Sequence, residues 1–269
     1  MKNTSKNDIN TLYLEISDGE PISIYANKKE VIKQIENCKS EYYSVSEKKV
    51  RKRFFNDDKK VKNVFRGKII KNKKGEFHYS ESENKSFCFN NSKYNDHPIE
   101  KDKEKKSIII ILESPHEKEY DKGLIPIAPA QGNTGVNIKN KICNVLNEIP
   151  EKDKELLNGS EYRLLIINPV PFQTSLFELH GKSIKGMYKT LRNNVWKTLW
   201  FHKKELKTDF KTNILNSNPV IILNCCTADL TDKIGEELIS YKLKNVLIYR
   251  VYHPSCWYRH KEVKLFPLS

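Results

Sequence analysis

Four short apolar runs punctuate the second part of the chain, at residues 108–112, 164–167, 220–223 and 246–251. Each is rich in Ile, Leu or Val and lacks the apolar–polar alternation of a half-exposed strand, which predicts strands buried on both faces. Between them the period changes to that of a helix. Ile138, Ile142, Val145 and Leu146 share one helical face, as do Met187, Leu191, Val195 and Leu199, and then Leu230, Ile234 and Leu238. Strands alternating with helices predict an α/β fold, a three-layer sandwich around a central, mainly parallel four-stranded sheet. Ahead of it, apolar stretches at 64–70 and 76–80 flank the polar turn Asn72-Lys73-Lys74-Gly75 and read as a β-hairpin, preceded by a helix near residues 28–38. The charged segment 100–106 separates the two parts. The expected division is therefore a basic α+β N-terminal extension over residues 1–105 and an α/β domain over 106–269.

Charge changes this picture. The 269 residues carry a formal net charge of +14, which points to a polyanionic partner. Residues 48–74 hold thirteen Lys and Arg against Asp57 and Asp58, a net +11, with Phe54, Phe55 and Phe65 interleaved. Such a segment suits phosphate contacts, and Arg51, Lys52, Arg53, Arg66 and Lys68 are its candidate DNA-binding residues. A solvated lysine-rich face is the plainer alternative. The longest aliphatic run is far below the roughly 20 residues of a membrane helix, and the polar opening Met1-Lys2-Asn3-Thr4 lacks the apolar core of a signal peptide. Six cysteines without CxxC spacing fit a reducing compartment. A soluble, cytoplasmic monomer with no metal and no membrane partner is expected.

In an open α/β sheet the ligand crevice lies outside the carboxyl ends of the strands, so the residues after each run matter most. The first run continues into Glu113-Ser114-Pro115-His116, and the second into Asn168-Pro169-Val170-Pro171-Phe172. The third continues into Asn224-Cys225, and the fourth into Tyr252-His253-Pro254-Ser255. A carboxylate, two amides and an imidazole would converge there. Taken singly, each has a bland explanation, such as an asparagine bonded within its own turn.

Together these segments resemble the three signature segments of the uracil-DNA glycosylase superfamily, in the same order and with similar separations. The resemblance covers roughly residues 107–259, and Gly132-Asn-Thr-Gly135 adds to it as a glycine-containing loop opening a helix. It implies a water-positioning role for Glu113, base reading by Asn168 and a groove-entering loop at His253-Pro254-Ser255. It departs from the family at Leu112, where a glycine is usual, at Ser114, where one branch has aspartate, and at His116, where a small residue is usual. No stacking aromatic is evident in residues 123–130, and Phe172 is the substitute. The cysteines do not match the iron–sulfur branches.

The chemistry implied is hydrolysis of an N-glycosidic bond of a base flipped from DNA, leaving an abasic site. The site must stabilise negative charge on the departing base and present water to an oxocarbenium-like sugar, for which no cofactor is needed. His253 would donate to the base, Asn168 would read its edge and Glu113 would orient water. Ser114, His116, Phe172 and Asn224 complete the base-binding set. Trp257 is the expected wedge, Arg259 the expected phosphate contact and Ser255 a further DNA-binding residue of the groove-entering loop, on double-stranded DNA. The altered first segment suits uracil or a bulkier modified pyrimidine, and so either repair or antiviral defence against modified phage DNA. The other readings are a non-catalytic base-recognition module of the same fold and a nucleoside or nucleotide hydrolase.

Overall fold

The computed structural model describes residues 55–81, 105–123, 125–175 and 188–268, with the backbone of four short strands ahead of them. The chain forms two compact units, a smaller one from residues 1–60 and 172–204 and a larger one from 61–171 and 205–269. In the smaller unit β1 (Thr11–Leu14), β2 (Ile22–Tyr25), β3 (Tyr43–Ser44) and β4 (Lys49–Val50) form a sheet in the order β2-β1-β4-β3. The helix expected near 28–38 and the cations Arg51, Lys52 and Arg53 lie outside the described residues.

The larger unit is built on a seven-stranded mixed sheet. Its strands are β5 (Val64–Lys71), β6 (Phe77–Glu81), β7 (Ser107–Ile111), β8 (Glu161–Ile167), β9 (Pro219–Asn224), β10 (Leu247–Val251) and β11 (Leu265–Pro267). They are ordered β11-β10-β9-β7-β8-β5-β6. The four apolar runs are the central β10, β9, β7 and β8, mutually parallel, so their carboxyl ends share one edge. Antiparallel strands extend both sides, making the sheet larger than the four-stranded one expected. The β5–β6 hairpin is not part of an N-terminal extension, because β5 pairs with β8 from Val64↔Ile166 to Ile70↔Glu161. Nonlocal pairing of this kind leaves no mark in the periodicity of either strand.

Helix α1 (Asn133–Asn147) covers one face, burying Ile138, Ile142, Val145 and Leu146 against Ile108, Ile110, Leu164, Ile166, Ile221 and Leu223. The short α2 (Glu151–Lys154) follows it. Helix α3 (Tyr188–His202) belongs to the smaller unit, lies against β2 and buries Val195, Trp196, Leu199 and Trp200. Helix α4 (Lys204–Asn216) buries Leu206, Phe210 and Ile214, and α5 (Ala228–Ser240) buries Leu230, Ile234 and Leu238 and lies against β9. The alternate sheet residues Ile109, Ile111, Leu165, Ile167 and Ile222, all fully buried, point away from α1. Each such isoleucine contributes about 1.5–3 kcal/mol on burial, which explains why β7, the central strand, is four consecutive isoleucines. Among the described residues no helix is long and apolar enough to cross a membrane.

Candidate functional site

The parallel strands bring the polar residues that follow them to a single edge. Adjacent strands are about 4.8 Å apart, so the ends of β8 and β10 stand about 14 Å apart with β7 and β9 between. The end of β7 lies level with those of its neighbours, since Ile111 pairs with Ile167 on one side and Asn224 on the other. The chain goes from β7 outward to β8 on one side and from β9 outward to β10 on the other, so the topological switch point, where a ligand crevice is expected, lies between β7 and β9.

Asn168 is the first residue beyond β8 and is 3% exposed. Its backbone is held firmly: its N–H donates to Asn63 Oδ1 at 3.0 Å, and Val61 N–H donates to Pro171 O at 2.9 Å. Neither Oδ1 nor Nδ2 has a hydrogen-bonding partner among the described residues. A buried polar group left unsatisfied costs about 1–3 kcal/mol, so the fold retains this amide at a loss. Following the alternation of Leu164 and Ile166, Asn168 projects from the α1 side of the sheet.

Glu113 is buried, and its Oε2 accepts from the Thr227 N–H at 2.8 Å. This contact joins the loop after β7 to the N-terminus of α5, where a carboxylate is favoured by the helix dipole. Ser114 is half-buried beside it. His116 lies exposed on the same loop, with Nδ1 accepting from Lys118 N–H at 3.3 Å. Desolvation of its ring, helped by the charges of Lys118 and His253, lowers its pKa, while Glu117 opposes the shift.

His253 is half-buried, and its Nδ1 accepts from the Ser255 N–H at 3.2 Å and lies 2.8 Å from Ser255 Oγ. With Nδ1 an acceptor, the neutral ring carries its proton on Nε2. The following 3₁₀ turn, Pro254–Arg259, packs on α1, and Asn137 Nδ2 donates to Pro254 O at 2.9 Å. The turn therefore holds His253 at a fixed height above the sheet edge.

Several expected site residues are placed elsewhere. Trp257 is fully buried in the core, its Nε1 donating to Tyr252 O at 2.6 Å, and is no wedge. In a 3₁₀ turn residues three apart share a side, so Pro254 and Trp257 both face inward while Tyr258 and Arg259 face outward. Tyr258 is 60% exposed, with the Arg259 guanidinium 5.2 Å from its ring centre. Asn224 is fully buried and spent on structure, donating to Thr231 O at 2.9 Å and accepting from Cys226 N–H at 3.3 Å. Phe172 belongs to the smaller unit, where it is fully buried, edge-on to Phe55 at 6.1 Å and under Lys203 Nζ at 4.9 Å.

The basic segment is also redistributed. Arg66 is fully buried and donates through Nη2 to Pro129 O and Ala130 O, both at 2.8 Å, so it contacts no phosphate. A bulge at Phe65–Gly67 turns it inward, and Gly67 is required there, because a Cβ would lie 2.6 Å from Ser80 O. Lys68 pairs with Glu161 at 3.0 Å on the surface. The exposed Lys73 and Lys74 cap the hairpin at the amino edge of the parallel strands, about 23 Å of strand from Asn168.

Two groups on the loop after β7 were missed by reading strand ends alone. Glu119 is 3% exposed, its Oε1 accepting from Ala130 N–H at 2.8 Å and its Oε2 lacking a partner among the described residues. Burial, reinforced by the charge of Glu113 and opposed by the Ala130 N–H and Arg66, raises its pKa to about 8, so it is protonated at neutral pH. Ala130, held from both sides by Glu119 and Arg66, takes φ +58°, a strained value for a residue with a Cβ. Next to it, Gln131 is 7% exposed and its Nε2 is also unpartnered among the described residues. Nothing in the local pattern of the sequence distinguishes these polar residues from a solvated loop.

Among the described residues no group of three or more His, Cys, Asp or Glu is arranged to hold a metal ion. Comparison of the chain with family models, curated proteins and solved structures finds no match.

Proposed function

We propose that this protein is a monofunctional DNA glycosylase, a divergent relative of the uracil-DNA glycosylase superfamily with that superfamily's three-layer core. It hydrolyses the N-glycosidic bond of a flipped uracil or modified pyrimidine and leaves an abasic site. The observation that carries this reading is the Asn168 amide, buried at a strand end with neither its donor nor its acceptor partnered among the described residues. A pyrimidine edge presents an adjacent acceptor and donor, the complement of an amide.

The surrounding groups supply the remaining steps. His253 donates from Nε2 to a carbonyl oxygen of the base as the glycosidic electrons move onto it. Glu113, fixed by Thr227, orients water toward the sugar carbon and takes up its proton. Tyr258, outward-facing with Arg259 above it, fills the gap left by the flipped base in place of Trp257. The net charge of +14 supports a DNA partner over a free nucleotide. A pocket accepting a bulky pyrimidine would place the enzyme in antiviral defence and one restricted to uracil in repair.

A base-recognition module without catalysis draws on the same contact, because Glu113 bonded to Thr227 also clamps the loop after β7. The deciding experiment incubates the protein with single- and double-stranded DNA carrying uracil, hydroxymethylated or glucosylated cytosine, or normal bases, then adds alkali to cut abasic sites. Base-dependent cutting that is lost in His253→Ala is the expected result. Tight binding with no cutting from any DNA would replace the glycosylase with the recognition module.

A further inference from the structure

A cleft of about 580 Å³ opens on the α5 side of His253; Thr227, which holds Glu113, lines it and Asn168 does not. Its walls include Thr227, Arg250, Tyr252, His253 and Phe266. The alternation along β10 sets this cleft and Asn168 on different faces of the sheet. Tyr249 and Val251 belong to the core that α1 covers, so Arg250 and Tyr252 project from the opposite face, whereas Asn168 projects from the α1 side. His253 stands where the two faces meet.

Tyr252 is the unusual element. It is 45% exposed, yet its ring is not loose. His260 stacks on it at 4.8 Å with an interplanar angle of 3°, and Phe266 meets it edge-on at 6.2 Å and 87°. The ring is therefore oriented before any ligand arrives, which lowers the entropic cost of using it as a platform. Phe266 is itself 42% exposed, giving the cleft a second aromatic surface. Arg250 supplies a cation, paired with Asp232 at 3.5 Å on the surface, where such a pair contributes little and a phosphate can replace the carboxylate. A cleft of this volume is in the range that holds a small organic ligand. An open aromatic face, a cation and a chain of charge +14 select a nucleotide over an apolar or cationic ligand.

We propose that this cleft is a second nucleotide subsite, in which the base adjacent to the flipped one leaves the stack and packs on Tyr252. The assignment rests on DNA being the partner, as argued above. Its consequence is a substrate preference: two neighbouring nucleotides must be unpaired, which costs a few kcal/mol in a duplex and little in a single strand. The enzyme therefore favours single-stranded or locally melted DNA.

The test uses the full chain and oligonucleotides that contain 2-aminopurine but no target base, so that it does not depend on catalysis. Fluorescence of 2-aminopurine falls when the base stacks on an aromatic ring. We expect quenching on binding, affinity for the single strand above that for duplex, and an affinity for the single strand about 5- to 150-fold lower in Tyr252→Ala. Tyr252→Phe retains both quenching and affinity. Binding without quenching in the wild type, failure to bind, or equal affinity of Tyr252→Ala and wild type would overturn the subsite. Abasic-site formation from target-containing DNA is measured separately, so the glycosylase reading and the subsite can fail independently.

Discussion

Asn168 and Asn224 end neighbouring regions of the same sheet edge, yet their amides have opposite fates. Asn224 closes β9 on the α5 side and spends its donor on Thr231 and its acceptor on Cys226. Asn168 follows β8 on the α1 side, also buried, and spends neither on any described residue. Residue type, burial and a place at a strand end are shared, so none of these marks a binding residue. What separates the two is whether the described surroundings supply partners, and that difference is what the proposed base-reading role of Asn168 rests on.

The largest effect expected from breaking this contrast is on activity. Asn168→Ala should lower the rate of base release by about 10²–10³-fold, as the loss of one preorganised contact does, with no loss of stability, because the residue removed was unsatisfied. Abasic-site yield and the urea midpoint measured on the same preparation check both halves. Asn224→Ala should do the reverse. It orphans Thr231 O and Cys226 N–H and should cost about 1–3 kcal/mol in urea unfolding, with activity falling only as far as the folded fraction falls.

The contrast between the two asparagines could not be read from the chain, although much of the frame around it could. The four apolar runs became adjacent parallel strands because uninterrupted Ile, Leu and Val are satisfied only where both faces are covered. The helical faces at 138–146 and 230–238 were equally direct. Helix α4 was overlooked, though Leu206, Phe210 and Ile214 fall at helical spacing. What stayed hidden depends on distant partners. The β5–β6 hairpin joins the sheet through pairing with β8, nearly a hundred residues away, and Arg66 is drawn inward by carbonyls at 129 and 130. Trp257 read as a wedge because it is a large apolar residue beside the cation Arg259, but the 3₁₀ turn assigns it to the inner side.

A third test concerns Glu119, another group with an atom unpartnered among the described residues. Glu119 has a pKa of about 8 in the folded protein against an ordinary 4.5, so the folded state binds its proton more tightly than the unfolded state does. Its contribution to stability is fully present below about pH 4.5 and is lost as pH rises through about 8. Urea midpoints at pH 5, 7 and 9 should therefore fall with pH in the wild type relative to Glu119→Gln, which keeps the acceptor for Ala130 N–H. Parallel curves for the two proteins would remove Glu119 from this account. The smallest effect is expected farthest from the site. Lys73→Ala with Lys74→Ala, at the opposite edge of the sheet, should leave cleavage unchanged at moderate salt, whereas a phosphate clamp on the hairpin tip would make both the rate and its salt dependence fall.

The most direct test of the vacant amide is to watch it. In ¹⁵N-labelled protein the side-chain NH₂ resonances of Asn168 and Asn224 can be assigned by their disappearance in the two alanine variants. DNA carrying the cleavable base on a 2′-fluorinated sugar, which resists hydrolysis, is then added. The Asn168 NH₂ signals should move on binding while those of Asn224 stay in place. Binding of that DNA with the Asn168 signals unmoved would contradict the assignment of this amide as the base reader.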